Sequence, residues 1–322
     1  MPLVSSKYQP PKKIFRNPDV STLYAALLRK VNGVMQTTER LELPDGDFMD
    51  LDWSYATQKT NTCVIILHGL EGHAHRPYVL GAAKIFNENS IDCCAVNYRS
   101  CSGEPNRVFS NYHSGRTEDV RAVVNHVLNK GNYDKIIING FSLGGNLTLK
   151  FAGEKTDLPK EVKLAIAVST PVDLEGCMHQ LHRPRNFVYA TDFLLTLKKK
   201  LKDKQEQFPD LISDHDIKKV KSLKAFDDFY TSKANGFLDA LDYYRKSSSR
   251  QFIPEIEIPT LLINAKNDSF LSETCYPREE AEKMSNLYFE IPDYGGHVGF
   301  VDSDQIYYNE KRAIAFVKDH LA

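Results

Sequence analysis

The chain has 322 residues, 42% hydrophobic and 26% charged, with 41 Lys plus Arg against 42 Asp plus Glu. A chain of that length and composition buries a large core without help from disulfides or metals. Its formal charge of -1 excludes the basic excess of a dedicated nucleic-acid binder. No apolar run approaches the roughly 18 residues that span a bilayer, and the opening MPLVSSKYQPPKK lacks the apolar stretch of a signal peptide. The six scattered cysteines include no CxxC pair and read as reduced thiols, which predicts a cytoplasmic protein.

Residues 1–35 read as an arm, with a Pro-Pro break and then a helical pattern from Thr22 to Val31. Thr38–Leu43 and Phe48–Trp53 alternate apolar and polar residues around Asp45-Gly46, a hairpin signal. After Thr62 the chain changes character. Short apolar runs at 63–67, 91–96, 135–138, 162–168, 260–263 and 287–291 suit strands buried on both faces, as in a parallel sheet. Helical patterns lie between them at 77–87, 117–128, 143–153, 276–283 and 306–321. The second of these sets Val120, Val123, Val124, Val127 and Leu128 on one stripe. Strand–helix alternation predicts an α/β fold: a mostly parallel sheet with the N-terminal hairpin at its edge and helices on both faces.

Residues 171–250 break this rhythm with a helical, charged stretch. The predicted organisation is therefore an arm (1–35), an α/β core in two pieces (36–170 and 251–322) and a helical cap insertion (171–250). The cap would sit over the carboxyl ends of the strands, where α/β ligands bind. Its lysine run, Lys198 to Lys202, reads as a solvated helix face, with contact to anionic lipid as the sharper alternative. Its aromatics (Phe187, Tyr189, Phe193, Phe229, Tyr230) either line an acyl tunnel or, the commoner fate, pack onto the core.

The most specific signal is Gly140-Phe141-Ser142-Leu143-Gly144-Gly145, which follows a strand and opens a helix. In that context G-x-S-x-G is a nucleophile elbow, with Ser142 on a strained turn at the top of the sheet. Gly140 and Gly144 are needed because side chains there would strike neighbouring backbone, and Gly145 lets the helix pack closely. The Leu143 N–H at the helix N-terminus suits a developing oxyanion. Serine alone is a poor nucleophile and requires a base. Of the ten histidines, His297 stands out, in Gly295-Gly296-His297-Val298-Gly299 between the last strand and the C-terminal helix. In enzymes built on this elbow the chain order is Ser, acid, His. Asp268, in the turn after the 260–263 strand, is the carboxylate that fits. A second oxyanion donor is expected in the loop after the first parallel strand, His68-Gly69-Leu70-Glu71-Gly72. There the Leu70 N–H is the candidate, Gly69 forms the turn, and His68 orients the loop. His68, His73 and His75 lack a carboxylate partner for a metal site. Neither a metal nor a cofactor is predicted. Adjacent Cys93 and Cys94 read as buried structural residues.

With these motifs in hand, the chain resembles the YheT-like group of α/β-hydrolases, which includes bacterial esterases and animal abhydrolase-domain lipases. The resemblance runs from about residue 35 to the C-terminus. It rests on His68–Gly72, Asn97–Arg107, Gly140–Asn146, Phe226–Tyr230, Tyr243-Tyr244 and Gly295–Phe300. It implies hydrolysis of carboxylic esters, with short-chain esters or monoacylglycerol-type lipids as substrates. Other acyl chemistries (thioesterase, amidase, acyltransferase) and a non-catalytic ligand-binding hydrolase fold are its rivals. The chain departs from the group's pattern at Ser100, where Gly is usual, and at Asn267-Asp268-Ser269, where Asp-Asp-Pro is frequent. Small-molecule ester or lipid is the expected partner, with no nucleic acid, no transmembrane segment, room for peripheral membrane contact, and no indication of oligomeric state.

Overall fold

The computed structural model describes residues 3–303 and 305–321. Its elements run in order β1 (Leu3–Val4), α1 (Pro18–Leu23), β2 (Thr37–Glu42), β3 (Phe48–Ser54), β4 (Thr62–Leu67), α2 (Pro77–Glu88), β5 (Asp92–Asn97), α3 (Thr117–Asn129), β6 (Lys135–Phe141), α4 (Leu143–Gly153) and β7 (Val162–Val168). There follow α5 (Leu174–Leu181), α6 (Phe187–Gln207), α7 (Asp214–Lys219), α8 (Leu223–Phe226), α9 (Ser232–Ala234) and α10 (Ala240–Ser247). The chain closes with β8 (Thr260–Ile263), α11 (Arg278–Lys283), β9 (Leu287–Glu290) and α12 (Tyr308–Leu321).

One nine-stranded sheet has the order β1-β9-β8-β7-β6-β4-β5-β3-β2. Only the β2–β3 and β3–β5 pairs are antiparallel, so the chain forms the expected mostly parallel sheet with its hairpin at one edge. The hairpin turns at Gly46, whose φ of 83° is open to glycine at no steric cost. Successive strand residues face opposite ways. Val64 and Ile66 of β4 therefore join Val79, Ala83, Ile314 and Val317 of α2 and α12. Cys63, Ile65 and Leu67 of the same strand join Val120, Val124 and Leu147 of α3 and α4. Both faces are covered, which explains why the strands read as unbroken apolar runs.

Three stretches differ from the sequence reading. The first helix lies at Pro18–Leu23 and passes into a wide turn at Tyr24–Leu28, rather than spanning 22–31. Asn17 caps it by accepting from the Asp19 and Val20 N–H groups, and Pro18 sits at the first helical position, where its missing N–H costs nothing. The 276–283 pattern becomes helical only from Arg278, because Pro277 biases Tyr276 away from helical backbone. The lysine run on α6 is also divided between faces. Lys199 and Lys202 are exposed, while Lys200 turns inward and Lys204 is buried, its ammonium donating to the Asn106 and Val108 carbonyls. Among the described residues no helix is long and apolar enough to cross a membrane.

Candidate active site

The carboxyl ends of β4, β6, β8 and β9 converge on one point, and each delivers a loop to it. From β6 the chain enters Ser142 with φ 52° and ψ -118°, a region that side chains other than glycine rarely occupy. The glycines around it are there for space. A Cβ at Gly140 would strike the Gly144 carbonyl, one at Gly144 the Leu67 carbonyl, and one at Gly145 the Thr170 hydroxyl. The strained turn lifts the Ser142 side chain above the sheet and starts α4 directly behind it.

Asp268 lies in the turn after β8. It is buried, and its Oδ1 accepts from the Phe270 N–H at 2.9 Å. The turn is braced by Asn264, whose amide accepts from the Thr170 N–H and donates to the Thr170 and Cys275 carbonyls. His297 follows β9. Its Nδ1 lies 2.8 Å from Asp268 Oδ2 and its Nε2 lies 2.8 Å from Ser142 Oγ. A carboxylate accepts and cannot donate, so the Nδ1 proton sits between them and leaves Nε2 free to accept from the serine hydroxyl.

The loop after β4 flanks the serine. Gly69 approaches the Ser142 Cβ so closely that a Cβ of its own would lie 3.1 Å away. His68 is fully buried. It shares a 2.7 Å hydrogen bond between Nδ1 and the Gly69 carbonyl and receives the Tyr98 N–H on Nε2. Burial pushes its pKa down to about 3, so it is neutral, with the Nδ1 proton donated to Gly69 and Nε2 left as the acceptor. The flanking N–H groups are committed, that of Gly69 to Tyr78 Oη and that of Glu71 to Tyr112 Oη. Among the described residues the Leu70 and Leu143 N–H groups donate to no protein acceptor. The structure thus brings together the residues expected to carry the chemistry: Ser142, Asp268 and His297 in one hydrogen-bonded line, with Leu70 and Leu143 beside the serine.

Residues outside that set also hold the site. The His297 N–H donates to Thr22 Oγ1 of α1, and the Val298 N–H donates to Ser169 Oγ. Phe270 stacks on the imidazole at 4.3 Å. Asn267 accepts from the Gly296 N–H and donates to the Arg16 carbonyl. That pair of bonds needs an amide, since a carboxylate has nothing to donate. Periodicity and motif spacing carry no signal for these contacts. The unusual Asn267 was the only visible clue.

A cleft, open at its mouth, lies over the serine. Leu174, Met178, Leu181, Phe193, Leu197, Leu223 and Phe226 from α5, α6 and α8 give it an apolar wall, and Phe270, Leu271 and His297 also line it. Of the aromatics weighed from sequence, Phe193 and Tyr230 line the cleft, Tyr189 packs edge-on against Phe270, and Phe187 is exposed. Asn111, His113, Asp227 and Asn235 add polar groups to the lining. Burial raises the Asp227 carboxyl to about 6, though the Tyr244 and Thr231 hydroxyls both donate to it. Among the described residues no cluster of His, Cys, Asp and Glu is arranged to hold a metal.

The family model for the alpha/beta hydrolase fold matches residues 62–304. The putative esterase YheT of Escherichia coli (strain K12) is 34% identical over 296 residues, covering 90% of this chain and 86% of its own. Phospholipase ABHD3 of Mus musculus is 28% identical over 312 residues, covering 94% of this chain and 75% of its own. Among solved structures, the Pyrococcus furiosus esterase Pf2001 aligns with a TM-score of 0.60 at 14% identity, over 91% of this chain and 96% of that one. At that identity the likeness speaks of fold alone. By its elbow, its sheet and these relatives, the chain belongs to the α/β-hydrolase superfamily and, within it, to the group of the putative esterase YheT.

Proposed function

We propose that this protein is a serine hydrolase that cleaves carboxylic esters, with Ser142 as nucleophile, His297 as general base and acid, and Asp268 orienting the imidazole. The observation that carries the reading is the unbroken line Ser142 Oγ–His297 Nε2 and His297 Nδ1–Asp268 Oδ2, each 2.8 Å, at the floor of an apolar cleft. The names of the relatives, an esterase and a phospholipase, agree with it.

In this scheme His297 Nε2 takes the hydroxyl proton as Ser142 Oγ attacks the ester carbonyl, following the general logic of serine triads. Asp268 holds the proton-bearing Nδ1 and stabilises the imidazolium that forms. The carbonyl oxygen gains negative charge and moves to the Leu143 and Leu70 N–H groups, which have no other acceptor to give up. His297 then protonates the departing alcohol, and water enters by the reverse of the same steps. The Leu174–Leu181 and Phe193–Leu197 walls hold an acyl chain by burial, worth about 0.8 kcal/mol per methylene. The segment 171–250 serves as the cap that makes this wall, and the favoured substrates are esters with an apolar acyl group, monoacylglycerol-type lipids among them.

The test is hydrolysis of a p-nitrophenyl ester series from acetate to dodecanoate by the wild type and by Ser142→Ala. The expected result is turnover in the wild type, rising from acetate toward longer chains, and a loss of about 10⁴-fold or more in the variant. Wild type and variant equally inert on every ester would sink the reading. Faster turnover of a thioester or anilide of the same acyl group would move it to another acyl chemistry.

A further inference from the structure

Cys177 and Cys275 lie 98 residues apart, yet their sulfurs approach to 3.2 Å. Cys177 belongs to α5, the first helix after β7, and lines the cleft. Cys275 ends the short turn Glu273–Cys275 beyond the Asp268 loop and is fully buried. Both are free thiols. Among the described residues no other two sulfurs are within hydrogen-bonding distance.

The backbone around the pair is held from both sides. Asp173 caps α5 through the Gly176 N–H and accepts the Thr274 hydroxyl through its other oxygen. A Cβ at Gly176 would strike the Ser272 hydroxyl, so helix and turn touch directly beside the sulfurs. Asn264 fixes the Cys275 carbonyl at 2.9 Å. A disulfide needs the sulfurs at about 2.05 Å. The 3.2 Å approach leaves about 1.2 Å to close, between two segments whose backbones are already held against each other. Cys177 opens the pair to the cleft, so an oxidant of the size of water has a route to it.

We propose that Cys177 and Cys275 form a peroxide-sensitive dithiol that closes into a disulfide, tying the first cap helix to the turn that follows the Asp268 loop. Hydrogen peroxide supplies the oxidising equivalents. One sulfur displaces hydroxide from the peroxide to become a sulfenic acid, and its released proton makes the first water. The neighbouring thiol attacks that sulfur, the S–S bond forms, the S–O bond breaks, and the hydroxide leaves with the second proton as water. Two thiols and one hydrogen peroxide thus become one disulfide and two waters. The link would join two walls of the cleft, since Leu174, Met178 and Leu181 ride on α5 while Phe270 and Leu271 lie just upstream of the turn. Restrained walls admit small esters and hinder bulky ones. The cross-link stands independently of the chemistry at Ser142. Only its effect on turnover rests on the ester-hydrolase reading.

The full chain is treated with hydrogen peroxide, quenched with catalase, alkylated in denaturant and digested without reductant. Expected are a peptide pair joined through Cys177 and Cys275, a fall from six free thiols to four, and recovery with dithiothreitol. Cys275→Ser should lose the cross-linked pair. Six thiols surviving, irreversible sulfonic acids without a cross-link, or a link through Cys101 instead would each overturn the proposal. In parallel, dodecanoate turnover should fall several-fold in the oxidised protein while acetate turnover is kept. A formed link with dodecanoate turnover unchanged would refute the restraint. A wild type inert on all esters before oxidation would refute the ester reading and leave the cross-link to be judged from its peptides.

Discussion

Among the non-glycine residues at positive φ, Ser142 and Ser100 use it in opposite ways. Ser142 sits at φ 52° because the nucleophile must stand at the apex of a turn, and the surrounding glycines make the turn sterically open. Ser100 sits at φ 61°, where the resemblance to the YheT-like group leads one to expect glycine. Its hydroxyl donates to Asn106 Oδ1 at 2.6 Å and accepts from the Asn106 N–H at 2.9 Å, which offsets a backbone cost of about 1 kcal/mol. Two outcomes follow for urea unfolding. Ser100→Gly relieves the strain and loses the two hydrogen bonds, so its stability should stay within about 1 kcal/mol of wild type. Gly144→Ala drives a methyl into the Leu67 carbonyl and should cost about 3 kcal/mol or more, with esterase activity lost in whatever remains folded. A Gly144→Ala protein as stable and active as wild type would remove the steric account of the elbow.

At the scale of elements, α6 does more than roof the cleft. Lys200 reaches from it to Glu71 Oε1 at 2.9 Å and to Cys101 Sγ at 3.2 Å, and Tyr112 Oη donates to the same Glu71 oxygen. Glu71 follows Leu70 directly and holds φ 53°, so α6 braces the loop that carries a proposed oxyanion donor. Lys200→Met leaves the Glu71 carboxylate buried without a cation. Stability should drop by about 2–3 kcal/mol, somewhat below the usual range for buried pairs because Lys200 keeps some solvent. Lys200→Met combined with Glu71→Gln should recover part of that loss. Additive losses in the double variant, measured by denaturant titration, would show that the pair does not couple. The arm makes a similar contribution from the other side. Thr22 of α1 accepts the His297 N–H, and Arg29 forms a buried ion pair with Glu310 of α12. The arm is therefore part of what holds His297 in place.

For the molecule as a whole, buried histidines set the response to acid. His68 and His113 are both pushed down to about 3 by burial, His113 with further repulsion from Arg116 and Lys150. A folded-state pKa below the ordinary value near 6.5 means that the unfolded chain binds protons the folded chain refuses. Their contribution is therefore fully present above about pH 6.5 and is lost as the pH falls. His68 alone accounts for about 2 kcal/mol by pH 5. The Asp227 carboxyl, raised to about 6, acts in the opposite sense over the same window, and two histidines outweigh it. The urea midpoint should fall from pH 7 to pH 5, and His113→Gln should shrink that fall. Equal midpoints at the two pH values would contradict it.

The parallel strands were legible in the sequence, because residues buried on both faces are apolar at successive positions, and short runs such as CVIIL alternating with helical patterns suit that burial. The sequence by itself also determined the elbow, because only glycine fits the space on either side of Ser142. Asp268 and His297 were legible for a related reason: chain order and strand ends leave few residues able to reach the serine. What meets across the chain became visible only in the folded molecule. Thr22 lies 275 residues from His297, Lys200 lies 129 from Glu71, and Cys177 lies 98 from Cys275. Each is a single polar or sulfur contact at one position, with no periodicity to announce it. The lysine run shows the same limit. Its charges suggest a solvated face, but a helix turns one residue in three or four inward, and which ones depends on what packs beneath. The burial of Lys200 and Lys204 follows from carbonyls and a carboxylate waiting on the core, and those are set in place by segments far away along the chain.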